Sequence, residues 1–164
     1  MACATASELM QQFSTRRPVR HSAAEMFDLV ADVESYPQFV PLCRSLKIRK
    51  RIPEPEGVEV LVANMSVAYR LLHQSFTSRV TLDRPSLHIL VEYLDGPFRR
   101  LENRWRFHPT GAQTCIVEFF IAYEFKSRAL GLLMGATFDT AFRLFASAFE
   151  RRADQIYARK AVRA

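Results

Sequence analysis

Four histidines, His21, His73, His88 and His108, are the side chains best suited to exchange protons near neutral pH. Zinc capture needs histidines and cysteines spaced so that several turn onto one metal, and neither HxxxH, HExxH nor CxxC occurs. His73 and His88 fall in strand-like stretches and read as surface residues rather than as a general base. A phosphate-cradling glycine loop and a GxSxG elbow are both missing from the sequence. No local signature joins a nucleophile to a base and an orienting carboxylate. Cys3, Cys43 and Cys115 show no pairing pattern, which fits a reducing compartment. The residues therefore assign no catalytic group, no metal site and no covalently held cofactor.

What remains is chemistry of binding. Leu101, Asn103, Trp105 and Phe107 alternate with charged residues, and Asn103 is the polar exception on the apolar side. An amide buried without a partner costs about 1–3 kcal/mol, so Asn103 must bond to backbone, to water or to a ligand carbonyl. An apolar pocket with one or two polar anchors suits a lipid-like molecule better than acid–base catalysis. The formal charge of +6 is spread over Arg16, Arg17 and Arg20, over Lys47–Arg51, and over Arg99, Arg100, Arg104 and Arg106. Such groups favour anionic lipid, RNA or an acidic protein, or simply form a solvated strand face. Nothing points to DNA.

These residues need elements to hold them, and the largest is a helix predicted from about Lys126 to Ala158. Leu130, Met134, Phe138, Phe142, Phe145, Phe149 and Ile156 recur at steps of three, four and seven, with Ala141, Leu144 and Ala148 widening the stripe. Asp139, Arg143, Ser147, Glu150 and Asp154 gather opposite. Gly131 and Gly135 remove two side chains at about 1 kcal/mol each, leaving room for close backbone approach or for an empty space. Only Asp139 and Arg143 are charged between Ala129 and Phe149, which raises a membrane span as a rival. Each charge at mid-bilayer costs about 2.5–3.5 kcal/mol, and the two can pair four residues apart, so a soluble helix is expected.

Ahead of it, Phe13–Val19 reads as a strand, and Ser22 with Glu25 forms a capping box that starts a short helix. Tyr36-Pro37-Gln38-Phe39-Val40-Pro41-Leu42-Cys43 is a stiff apolar loop, either a plug on the core or the lip of a pocket. Six strands follow, separated by turns at Pro53–Gly57, Tyr69-Arg70, Asp83–Ser86, Asp95–Pro97 and His108–Gly111. The order implies an α+β domain over residues 12–158, its antiparallel sheet of about six or seven strands curled around the long helix. Any gap between them is a cavity, expected near the paired glycines. Residues 1–11 are expected to be a disordered extension, with Met10 as an alternative start, and 159–164 a basic tail.

Three spaced motifs carry a resemblance: Tyr36-Pro-x-Phe-Val-Pro-x-Cys43, Gly96-Pro-Phe-x-x-Leu-x-x-x-Trp-x-Phe107, and Tyr123-Glu-Phe-x-Ser127 leading to Ala148-Phe-Glu-Arg-Arg-Ala153. Together they resemble the coenzyme Q-binding proteins, the Coq10-type and RatA-type members of the START/polyketide-cyclase-like superfamily, over about residues 12–158. Leu42 departs from the tryptophan usual there. The resemblance implies a helix-grip fold and a non-enzymatic ubiquinone or isoprenoid-lipid chaperone that supports respiratory electron transfer or quinone synthesis. Its cavity would be lined by Leu101, Asn103, Trp105, Phe107, Phe119, Ile121, Met134, Phe138, Phe142 and Phe145. Tyr36, Pro37, Phe39, Val40, Pro41 and Leu42 would form the gate. The protein would be cytoplasmic, peripheral on the inner face of the membrane. The RatA branch implies instead a toxin that binds the large ribosomal subunit, although no aromatic RNA-stacking motif accompanies the arginines. A cyclase or dehydratase is the third reading.

Overall fold

The computed structural model describes residues 10–161, with side chains through Tyr157. Of the extension expected over residues 1–11, residues 1–9 lie outside the described residues, as does the end of the basic tail, whereas Gln11 belongs to the first strand and corrects the expected boundary. That strand, β1 (Gln11–Val19), leads into α1 (Ala23–Ala31) and a 3₁₀ turn over Val33–Gln38. A meander follows: β2 (Cys43–Pro53), β3 (Val58–Tyr69), β4 (Leu72–Asp83), β5 (His88–Asp95), β6 (Phe98–Gly111) and β7 (Thr114–Phe125). The chain ends in α2 (Arg128–Ala161). All neighbours are antiparallel in one seven-stranded sheet of order β1-β7-β6-β5-β4-β3-β2. This is the helix-grip architecture, with α2 held in the curl of the sheet.

Local chemistry sets the element ends. The Ser22 hydroxyl accepts from the Glu25 N–H at 3.1 Å while the Glu25 carboxylate accepts from the Ser22 N–H at 3.2 Å, the reciprocal capping expected. The Ser127 hydroxyl accepts from the Leu130 N–H at 3.2 Å and opens α2. The expected turn at His108–Gly111 is instead the end of β6. Proline is tolerated there because β5 pairs only as far as the His88–Arg106 register, so Pro109 lacks no ladder bond on that side. Gly96 has φ +143, and a Cβ there would meet the Phe76 Cβ at 2.6 Å.

Met134, Phe138, Phe142 and Phe149 of α2 are buried, as their spacing requires. Two expected positions are not: Leu144 and Ile156 are 45 % and 38 % exposed. The stripe continues from Phe149 through Ala153 to Tyr157 at steps of four, which turns residue 156 outward. By length and composition α2 could cross a membrane. Its phenylalanines lie on the sheet.

Candidate functional site

Two aromatic clusters clamp α2 to the sheet. At its start, Phe98 stacks on Phe125 at 4.9 Å and meets Phe138 edge-on at 6.0 Å, while Phe142 lies 4.9 Å from Tyr123. Further along, Phe149 meets Trp105 at 4.9 Å, Tyr36 at 5.1 Å and Phe39 at 5.0 Å. Such edge-to-face pairs add about 0.5–1.5 kcal/mol each beyond their burial. The helix packs mainly against β7, β1 and α1. Strands β3, β4 and β5 curl away from it, and the space between is a cavity.

That cavity has a volume of about 80 Å³ and an almost wholly apolar wall. Of the ten expected lining residues, Leu101, Asn103, Ile121, Phe138, Phe142 and Phe145 are on the wall. Trp105, Phe107, Phe119 and Met134 are buried away from it. Trp105 and Phe119 fill the contact between α2 and β6–β7, and Phe107 packs on Trp105 and on Phe27 of α1, whereas the gap opens over the curled strands. Ala63, Met65, Phe76, Ser78, Val80 and Val91 supply the wall there. The glycines stand elsewhere: Gly131 and Gly135 line an outer groove with Arg99, Lys126 and Arg128, and not the cavity.

Three polar side chains reach the wall. Asn103 donates from Nδ2 to the Phe120 carbonyl at 2.9 Å, and its Oδ1 accepts from the Trp105 indole at 2.9 Å. The amide is thus fixed by backbone and tryptophan, with one N–H left over. Ser78 on β4 is only 6 % exposed, and its hydroxyl makes no hydrogen bond within the described residues. Tyr36 donates its hydroxyl to the Val30 carbonyl, and removal from water pushes its pKa far up. Ser78 was legible as the polar step in the inward alternation Phe76, Ser78, Val80, but the sequence reading passed over it.

The Tyr36–Leu42 loop divides in two. Tyr36 and Phe39 are the plug on Phe149, Val40 is buried at 5 %, and Pro37 is exposed. Pro41 and Leu42 wall the cavity beside Tyr36. Leu42 sits at φ +66, left-handed for a branched residue, held as its carbonyl accepts from the Ala68 N–H at 3.1 Å. Pro41, Leu42 and Ala141 also line a groove of about 400 Å³ on the outside, with Tyr69, Thr140 and Leu144. They are the partition between cavity and solvent. A cavity of about 80 Å³ is smaller than the roughly 150 Å³ that admits benzene in an engineered lysozyme. A ring-bearing ligand therefore needs more room than the cavity offers as it stands.

Ionisable chemistry is sparse near the cavity. Burial pushes the Cys43 and Cys115 thiols up from 9.0 to about 11. Both stay protonated at neutral pH; the stability linked to them is full below about pH 9 and lost as pH rises through about 11. A maleimide near pH 7 should leave both unlabelled in the folded chain and label both in urea, read by peptide mass spectrometry. Labelling of native Cys43 would show that the start of β2, next to Pro41 and Leu42, opens on its own. Among the described residues no three His, Cys, Asp or Glu side chains gather to hold a metal.

Comparison with known proteins sets this geometry in context. Residues 19–150 match the family model for polyketide cyclase / dehydrase and lipid transport. The ribosome association toxin RatA of Escherichia coli is 33% identical over 149 residues, covering 91% of this chain and 90% of that protein. The mitochondrial coenzyme Q-binding protein COQ10 homolog B of Xenopus laevis is 31% identical over 155 residues, 92% of this chain and 61% of that one. A START superfamily protein of Mycobacterium smegmatis superposes with a TM-score of 0.73 at 21% identity, covering 88% of this chain and 98% of that one, a likeness of fold.

Proposed function

The chain belongs to the polyketide cyclase / dehydrase and lipid transport family, and from that premise we propose that it is a non-enzymatic carrier of an isoprenoid quinone such as ubiquinone. The observation that carries the reading is the apolar cavity between α2 and the curled strands, with Ser78 and Asn103 as its polar points. Ser78 on β4 and Asn103 on β6 lie two strands apart with a register offset of two residues, roughly 12 Å between their backbones. That separation suits a six-membered ring whose two opposed carbonyl oxygens each accept a hydrogen bond of about 2.8 Å. The tail would follow Phe138, Phe142 and Phe145 towards the partition at Pro41, Leu42 and Ala141. Tyr36, held protonated and already bonded to Val30, is poorly placed to act as an acid or base, which favours binding over turnover. On this reading the protein works in the cytoplasm at the inner face of the membrane.

The test is native mass spectrometry, with organic extraction, on protein purified from its own cells. A co-purified quinone that is lost in the folded Phe142→Ala variant is the expected result. A chain that carries no quinone and ignores added ubiquinone overturns the reading.

A second reading follows from the similarity to the ribosome association toxin of E. coli: binding to the large ribosomal subunit. Arg104 and Arg106 on the outer face of β6 would face RNA, although Glu118 and Glu102 offset part of that charge. Salt-sensitive co-sedimentation with large subunits, reduced by Arg104→Glu with Arg106→Glu, would select it.

A further inference from the structure

We propose that the chain docks on an anionic phospholipid bilayer through the outer side of α2's first half and the tip of the β3–β4 hairpin. The proposal builds on the lipid-carrier reading and names the surface through which cargo would be exchanged. Leu71 is 95 % exposed, Leu132 87 % and Leu133 65 %, the most exposed large apolar side chains described. They frame one place. Tyr69 shares the outer groove with Ala136, Thr137 and Thr140. Leu71 lies two residues beyond Tyr69, and Leu133 and Leu132 precede Thr137 and Ala136 by one helical turn. The same groove ends on Pro41, Leu42 and Ala141, the partition of the cavity.

The exposed side of α2 is apolar for a further reason. Between Ala129 and Phe149 its only charges, Asp139 and Arg143, are paired at 3.0 Å. Just 28% of its most apolar 18-residue stretch is buried in the fold. Positive charge rims the strip: Arg70 at the hairpin tip, Lys126 and Arg128 at the start of the helix, all exposed. The nearest acid on the neighbouring strand, Glu124, is buried and faces Arg99 at 3.9 Å. Leucines inside a basic rim match an anionic bilayer, whose acyl region takes the leucines while its headgroups meet the arginines and lysine. A second copy fits less well, because a two-fold pairing of this strip would press two basic rims together.

The experiment is flotation of the full chain with quinone-free vesicles, one-third phosphatidylglycerol in phosphatidylcholine. The wild-type chain should float with them, and bind pure phosphatidylcholine at least about tenfold more weakly. Leu71→Ser with Leu132→Ser and Leu133→Ser, all at exposed sites, should lower the partition coefficient by about a hundredfold or more. Arg70→Glu with Arg128→Glu should weaken binding to the anionic vesicles alone and flatten its salt dependence. This charge-reversed pair decides the matter if the leucine variant fails to fold. A wild-type chain that stays unbound, variants that float like it, or a leucine-dependent dimer without vesicle binding would each overturn the proposal. Binding of ubiquinone-2 without vesicles separates the two ideas: its absence in a chain that still floats removes the carrier reading and leaves the docking surface standing.

Discussion

Trp105→Ala will cost about 3–5 kcal/mol of stability, the usual loss for emptying a large aromatic site in a core. Trp105 is 2 % exposed and meets Phe119 at 4.8 Å and Phe149 at 4.9 Å, so it ties β6 and β7 to the second half of α2. Against a typical total of 5–15 kcal/mol, this loss leaves the fold marginal at 37 °C. Part of it is polar. The indole N–H donates to Asn103 Oδ1 at 2.9 Å, and without it a half-buried acceptor loses its partner. Trp105→Phe isolates that part at about 1–3 kcal/mol, with the ring contacts largely kept. Urea unfolding supplies both numbers, and adding Asn103→Leu to Trp105→Phe should cost less than the sum of the two single changes. If the two were additive, the hydrogen bond would contribute nothing to the fold.

The contrast between Trp105 and Ser78 shows what the sequence could tell. Trp105 stands in a clean period-two run, and Phe138, Phe142 and Phe149 in a 3.6-residue period, so inward faces were readable from spacing alone. Whether an inward residue touches the helix or a void is a different matter. It depends on where the helix axis lies over a curled sheet, and α2 lies over β7 and β1. Residues on β6 that shared one predicted face therefore divide, Leu101 and Asn103 on the cavity, Trp105 in the clamp and Phe107 against Phe27 of α1. The glycine pair misled for a related reason. Helical glycines do leave space, but nothing stands within 4 Å of the missing Gly135 side chain because it faces an outer groove. Strand β3 carried apolar residues on both sides, so the sequence could not say that Ala63 and Met65 face the cavity.

Ala141→Leu should weaken ligand binding about a hundredfold while leaving the fold intact. Ala141 is 5 % exposed, lies on the cavity wall and belongs to the partition with the outer groove. Leucine there adds three carbons to a space of about 80 Å³. Leucine is nearly as good a helix former as alanine. Filling a cavity commonly stabilises by about 0.5–2 kcal/mol, and mild overpacking offsets some of that. The melting temperature should therefore hold or rise. Binding behaves oppositely, because the same volume is what the ligand occupies. Affinity for ubiquinone-2 should fall by about a hundredfold, close to 2.8 kcal/mol. Trp105, the single tryptophan, reports the binding through quenching, since its indole bonds the Asn103 side chain on the cavity wall. Ser78→Ala should lose only about tenfold, the value of one hydrogen bond, because it removes an anchor and no room. This ordering distinguishes a ligand inside the cavity from one on the surface. A ligand held only in the outer groove would ignore Ser78→Ala, and equal affinities for that variant and the wild-type chain would move the site out of the cavity.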